Sequence, residues 1–254
     1  MTGVAPSAAA AIGQTPLVEL SRITADIDGR ILMKLEYLNP GASKKDRAAL
    51  RLIEEAERSG ALQPGQTVLE LTSGNMGTGL AIVCAVRGYP FVAVMSAGNS
   101  PERAAMMRAL GAEVILVEQS AGAIPGEVSG DDLRLVEDEA VCLAEARGAF
   151  RADQFALAGN RNAHYFGTAP EIWAQSEGAV TAFCDFAGSG GTFAGCARFF
   201  REQEVGVQCF VVEPAGAAAL AGDPVTSPEH PIQGGGYSMS SLAQFDEIEP
   251  DGYL

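Results

Sequence analysis

The chain has only two histidines, His164 and His230, and none of its five cysteines stands in a Cys-x-x-Cys pair. Too few ligands at useful spacing remain for a zinc site, and no metal is expected. Cys84, Cys142, Cys184, Cys196 and Cys209 are odd in number, widely spaced and mostly set in apolar runs. They read as small buried thiols of a reducing compartment, which points to the cytoplasm. Basic residues are scarce too: 17 Lys and Arg face 32 Asp and Glu, a formal net charge of -15. Such a chain is poorly suited to neutralise the phosphates of nucleic acid, and no nucleic-acid partner is expected. A small phosphate is not excluded, because backbone N–H groups hold anions without cationic side chains. No apolar run reaches the length of a membrane span, so no membrane partner is expected. The Ala-rich start, 1–11, has no basic residue ahead of its apolar patch, which argues against a secretory leader.

What is present is enough for a packed globular protein: 254 residues, 47% of them apolar, allowing one large domain or two small ones. Strand-like and helix-like stretches alternate along the chain. Strands are expected at 31–37, 67–71, 91–95, 113–117, 181–187 and 208–213, after a short extended segment near 15–20. Helices are expected at 46–59, 77–87, 101–110, 131–147, around 160–176, and at 191–201. Ala49, Leu52, Ile53 and Ala56 share one face of the first, and Gly60 stops it. Ser100, Pro101 and Glu102 supply an N-cap, an N1 proline and a first-turn acid. This alternation predicts an α/β fold of parallel sheets covered by helices. The Gly/Ser/Pro-bearing loop at 119–130 is a candidate passage between two α/β units.

Three loops lie beyond the carboxyl ends of strands, where such folds place ligands. The first, Asn39-Pro40-Gly41-Ala42-Ser43-Lys44-Lys45-Asp46-Arg47, brings a lysine to a strand-to-helix junction. A partly desolvated lysine there loses its proton easily and becomes a nucleophile toward aldehydes. The second, Thr72-Ser73-Gly74-Asn75-Met76-Gly77, offers hydroxyls, an amide and helix-start N–H groups that suit a carboxylate. The third, Gly188-Ser189-Gly190-Gly191-Thr192, lets backbone approach a phosphate closely. It is neither a dinucleotide fingerprint nor a Walker loop, because Thr192 follows the glycine pair directly and no Gly-Lys-Ser/Thr appears. Any one of these loops alone reads as a simple turn. Together they suggest one ligand with an aldehyde and a phosphate, and another with a carboxylate. Pyridoxal 5'-phosphate and an amino acid fit that description.

The chain resembles the cysteine synthase (O-acetylserine sulfhydrylase) family of fold-type II, tryptophan synthase beta-like pyridoxal-phosphate enzymes. The likeness is carried by Ile12-Gly13-Gln14-Thr15-Pro16-Leu17-Val18 and the three loops above. Gly167-Thr168-Ala169-Pro170-Glu171-Ile172-Trp173 and Val212-Glu213-Pro214-Ala215-Gly216 also match in kind. It runs from Ile12 to about Tyr237. The resemblance implies two open parallel-sheet α/β/α domains with the cofactor cleft between them. One is a large domain of 1–38 and 149–254, the other a small domain of 39–148. It implies a homodimer as well.

Residue by residue, the resemblance makes Lys45 the cofactor-bearing lysine and later the base at Cα. Lys44 stands where the family has an apolar residue, and the Ser-x-Lys-Asp-Arg register selects Lys45. Asn75 would meet the cofactor's ring hydroxyl, and Gly188, Ser189, Gly190, Gly191 and Thr192 its phosphate. Thr72, Ser73, Gly74, Asn75 and Met76 would hold the substrate carboxylate, with Gln233 and Gly234 near the substrate. The implied reaction is β-replacement on an O-activated serine by sulfide or another nucleophile. Met76 replaces the family's threonine, which motivates a serine/threonine β-eliminase as alternative. Leu71 stands where proline is common. Nothing after Gly236 resembles the family segment whose Ser or Thr faces the pyridine nitrogen, and Ser238, Ser240 and Ser241 are candidates by composition only. The chain therefore reads as a fragment or a shortened member, with a non-catalytic binding paralogue as the third possibility.

Overall fold

The computed structural model describes residues 3–122, 128, 130–203, 206–228, 230, 232, 234–246 and 248–254. The core of the 119–130 loop, residues 123–127 and 129, lies outside them, as does Gln233.

Two short strands, β1 (Leu17–Glu19) and β2 (Leu32–Lys34), pair antiparallel near the start of the chain. The strand expected at 31–37 is cut short. A 3-10 turn occupies Glu36–Leu38, and it aims the Glu36 carboxylate at Thr15 and Arg47. Helix α1 (Lys45–Ser59) follows, with Gly60 closing it in the left-handed region at φ 75°, a conformation glycine adopts without a Cβ penalty.

The next elements are β3 (Val68–Leu71), α2 (Asn75–Arg87), β4 (Phe91–Ser96), α3 (Pro101–Ala109), β5 (Glu113–Val117), α4 (Gly130–Arg147) and β6 (Phe150–Arg151). Their strands form a parallel sheet in the order β5-β4-β3-β6. Successive side chains of a strand point to opposite faces, and the burial follows suit. Val68, Phe91, Ala93 and Met95 join Ala49, Leu52, Ile53 and Leu80 in one cluster. Leu69, Leu71, Val92 and Val94 pack against Val136 and Ala140 of α4 in another. The sheet is thus covered on both faces, which explains the unbroken apolar run of β4 from Phe91 to Met95.

The chain then forms α5 (Gly159–Ala163), a π-helical turn (His164–Thr168) and α6 (Ala169–Gln175), one helical stretch where a single helix at 160–176 is expected. A second parallel sheet contains β7 (Ala182–Phe186), β8 (Gln208–Val212) and β9 (Gly252–Tyr253), in that order. Between β7 and β8 runs α7 (Gly191–Arg201). Phe193, Cys196, Ala197 and Phe200 of α7 pack against Cys209 and Val211, with Leu242 and Phe245 closing the cluster. Among the described residues no helix is long and apolar enough to cross a membrane.

Candidate active site

The loop before α1 is fixed by its own polar side chains. Asn39 Oδ1 accepts the Gly13 N–H at 2.8 Å, and Asn39 Nδ2 donates to the Glu36 carbonyl at 2.9 Å. Asp46, fully buried, accepts the Gly41 N–H at 2.5 Å, and Ser43 Oγ accepts the N–H of Lys45. Ala42 takes a left-handed conformation, φ 59°, strain that a non-glycine residue tolerates only when its surroundings hold it there. These bonds deliver Lys45 at the first turn of α1, half-buried. Its Nζ donates to Ser189 Oγ at 3.0 Å, across 144 residues of sequence. Burial lowers its pKa to about 8, the neighbouring Lys44 lowers it too, and Asp185 and Glu70 act in the opposite sense.

Ser189 sits in the third loop, ahead of α7, whose N-cap Gly190 is left-handed at φ 84°. Asn160, fully buried, donates through Nδ2 to Ser189 Oγ at 2.8 Å and to the Gln154 carbonyl at 2.7 Å. The same carbonyl also accepts from Gln244 Nε2 at 3.1 Å. Two glycines of this region admit nothing larger. A Cβ at Gly191 would lie 2.3 Å from Asn160 Oδ1, and one at Gly195 would lie 2.2 Å from the Arg161 carbonyl. Thr192 Oγ1 pairs with His164 Nε2 at 3.2 Å, and His164 Nδ1 with Thr168 Oγ1 at 2.9 Å. Burial, reinforced by Lys44, Lys45 and Arg47, pushes His164 well below the usual imidazole range. Gly234 lies against this loop: a Cβ on Gly188 would be 2.8 Å from its carbonyl oxygen. Gly236 N–H donates to the Ala187 carbonyl at 3.0 Å.

The second loop ends β3 and opens α2, which starts at Asn75, two residues earlier than expected. The reason is Thr72: its buried Oγ1 accepts the N–H of Gly74 at 3.0 Å and of Gly77 at 2.9 Å, capping the helix. Ser73 Oγ pairs with Tyr237 Oη at 3.3 Å, and Arg103 Nη1 donates to the Ser73 carbonyl at 2.7 Å. Asn75 is exposed at the first turn of α2, and Gly74 is buried. Met76 points its side chain into the core beside Met95 and Met107.

The structure therefore brings Lys45, the 188–192 loop and Gly234 together, and ties the 72–76 loop to Tyr237, three residues beyond Gly234. Sequence reasoning missed Asn160, His164, Asp185, Arg103 and Tyr237. The sequence carried a hint for one of them: His164 is the lone His within a helical stretch.

A half-buried amine of lowered pKa beside a glycine-lined helix start is a chemical match for an aldehyde that also carries a phosphate. The Asn160 Oδ1 atom, buried without a partner, leaves polar capacity in the same cradle. No group of three His, Cys, Asp or Glu among the described residues is placed to hold a metal ion.

Comparisons with known proteins agree with this chemistry. A family model described as "Pyridoxal-phosphate dependent enzyme" matches residues 8–248. Cysteine synthase 3 of Caenorhabditis elegans is 45% identical over 226 residues, covering 88% of this chain and 63% of that protein. Cysteine synthase B of Pseudomonas aeruginosa is 40% identical, covering 87% of this chain and 71% of that protein. The chain thus spans about two thirds of the length of these relatives. A crystal structure of cysteine synthase from Entamoeba histolytica superposes with a TM-score of 0.89 at 33% identity, covering all of this chain and 72% of that one. A hydrogen sulfide-producing enzyme from Fusobacterium nucleatum superposes with a TM-score of 0.85 at 37% identity, covering 99% of this chain and 80% of that one. With residues 8–248 matched and two parallel sheets present, the chain belongs to the pyridoxal-phosphate dependent enzyme family, alongside the cysteine synthases.

Proposed function

We propose that the chain binds pyridoxal 5'-phosphate between its two parallel sheets and uses it for β-replacement on an O-activated serine such as O-acetylserine. Sulfide or another nucleophile enters, and cysteine or a related amino acid leaves. The observation that carries this reading is the 3.0 Å contact between Lys45 Nζ and Ser189 Oγ, which sets an amine nucleophile against a phosphate-type loop.

When bound, the cofactor supplies an aldehyde carbon that takes up an amine and a ring that accepts electrons. The rest falls to this chain. Lys45 holds the aldehyde and, once released, takes the α-proton of the substrate on Nζ. The backbone of Gly188, Ser189, Gly190, Gly191 and Thr192 holds the phosphate, with the α7 dipole in support. Asn75 orients the ring hydroxyl. Ser73, Gly74, Asn75 and the N–H of Met76 receive the substrate carboxylate at the start of α2, where the first N–H groups have no partner inside the helix. Thr72 contributes through its hydrogen, because its oxygen already caps α2. Gly234, and Gln233 beside it, border the substrate.

The same reading takes the large unit as 1–38 and 149–254 and the small one as 39–148. The separate sheets support this, with β6 lying on the small unit's sheet just past the division. It also includes a homodimer in a reducing cytoplasm. The exposed apolar side chains of Val18, Met33, Tyr37 and Leu38 around β1 and β2 support the dimer. The test is an absorbance spectrum of purified protein before and after adding cofactor, then O-acetylserine and sulfide. Loading should give a visible band near ~410 nm, absent in Lys45→Ala, and a sulfide-dependent amino-acid product. A protein that stays colourless with added cofactor overturns the reading.

A further inference from the structure

Two lysines stand side by side at the start of α1, and the fold treats them differently. Lys45 Nζ turns to Ser189. Lys44 Nζ donates to Asp185 Oδ1 at 2.5 Å, in a pair whose side chains are only 30% and 18% exposed. Asp185 lies on β7, two residues on from Phe183, so the alternation of the strand sends both side chains to the α7 side. The ion pair therefore joins the helix that carries Lys45 to the strand that feeds the 188–192 loop.

We propose that the Lys44–Asp185 pair reserves the aldehyde for Lys45, by occupying the neighbouring amine and by keeping its positive charge beside the Lys45 amine. This rests on the reading of Lys45 as the cofactor-bearing lysine. Condensation requires a neutral amine: its nitrogen bonds the aldehyde carbon, and the aldehyde oxygen departs as water with the two amine hydrogens. An ammonium already donating to a carboxylate has no lone pair to offer. Four ionisable groups interact electrostatically with Lys45: Lys44 from the N-cap of its helix, Asp185 from β7, Glu70 from β3 and His164 from the turn after α5. Burial holds Glu70 well above the usual carboxylate range and His164 well below the usual imidazole range, which disfavours the charged form of both. Lys44 and Asp185 are the two foremost charges that act on Lys45, in opposite directions, with Glu70 a smaller influence on the side of Asp185.

The test is reductive trapping of the full-length protein with pyridoxal phosphate and borohydride, followed by digestion and mass spectrometry to locate the modified lysine. Wild type should be modified at Lys45 alone. Asp185→Asn should add modification at Lys44, and the double variant Lys45→Ala/Asp185→Asn should be modified at Lys44 far above Lys45→Ala alone. Lys44→Met provides a second measurement that does not disturb Asp185. It removes the charge that lowers the Lys45 pKa and leaves Asp185 uncompensated, so the pH midpoint of trapping at Lys45 should rise; each pH unit is about tenfold in free amine at fixed pH. Lys44 unmodified in both Asp185→Asn proteins, or a midpoint unmoved or lowered in Lys44→Met, overturns the inference. Wild type modified at neither lysine overturns the proposed function itself.

Discussion

Lys45 owes its chemistry to where its nitrogen is kept. Burial first, and then the charge of Lys44, hold its pKa at about 8 rather than 10.5. Only the neutral amine attacks an aldehyde. At pH 7 a pKa of 8 leaves about one amine in ten neutral, against roughly 3 in 10,000 for a solvated lysine. Loading of the apo-protein with pyridoxal phosphate, followed by stopped-flow absorbance, should therefore accelerate with pH and level off above about 8; acceleration continuing to pH 10 contradicts this. Asn160 plays the supporting part. It donates to Ser189 Oγ and to the Gln154 carbonyl from a fully buried position. Asn160→Ala removes both donations at once and should cost about 0.5–1.5 kcal/mol per lost hydrogen bond in chemical denaturation, because Gln244 still donates to the Gln154 carbonyl and Lys45 to Ser189 Oγ. Cofactor loading should weaken with it, since Ser189 loses the contact that fixes its hydroxyl toward Lys45.

Among elements, the start of α1 is locked to the N-terminal segment and α6 through one guanidinium. Arg47 meets Glu171 with two 2.7 Å bonds and Glu36 with bonds of 2.7 and 2.9 Å, and Lys34 adds a 2.8 Å contact to Glu171. Burial alone would raise the Glu171 carboxyl; the Arg47 and Lys34 hydrogen bonds reverse that and bring it down to about 2. A folded-state pKa below the unfolded value of 4.5 means that the unfolded chain binds the proton first. The network's contribution is thus complete above about pH 4.5 and is lost as pH falls toward 2. Urea denaturation across that window should show stability dropping with acid, and Glu171→Gln should be both less stable at neutral pH, by about 3 kcal/mol, and less sensitive to acid. None of these pairings was legible in the sequence, because charge pairs 11 residues apart across a turn, or 124 apart, leave no local pattern. What was legible follows the same logic in reverse. β3, β4 and β5 were read correctly because apolar runs with glycine-marked ends advertise buried strands. β6 and β9, two residues each, are too short for any periodicity, and the 3-10 turn at Glu36–Leu38 is set by where Glu36 finds Arg47. The three candidate loops stand out in the sequence because glycine, serine and threonine gather between a strand and a helix. Their partners Asn160, Asp185 and Tyr237 come from elsewhere in the chain and are joined to them only by the fold.

At the scale of the whole molecule the question is what holds the two sheets in register around the site. Helix α1 packs through Ala48, Ala49 and Leu52 into the core of the first sheet, while the 188–192 loop leads into α7, which packs into the core of the second. A ligand gripped at both Lys45 and that loop bridges the two cores and binds the folded chain alone, so it stabilises the native state by mass action. At a hundredfold excess over its dissociation constant the gain is about 2.7 kcal/mol, and for a chain of this size each kcal/mol raises the melting temperature by about 2–4 °C. Pyridoxal phosphate should therefore raise the melting temperature of the wild-type protein by about 5–10 °C, measured by differential scanning fluorimetry. Inorganic phosphate can engage only the loop and should give a smaller rise. Lys45→Ala should respond to pyridoxal phosphate only as strongly as wild type responds to phosphate, because it keeps the loop and loses the amine. Equal shifts in wild type and Lys45→Ala with pyridoxal phosphate would mean that the amine adds nothing to the grip, and that the bridge between the two sheets does not run through Lys45.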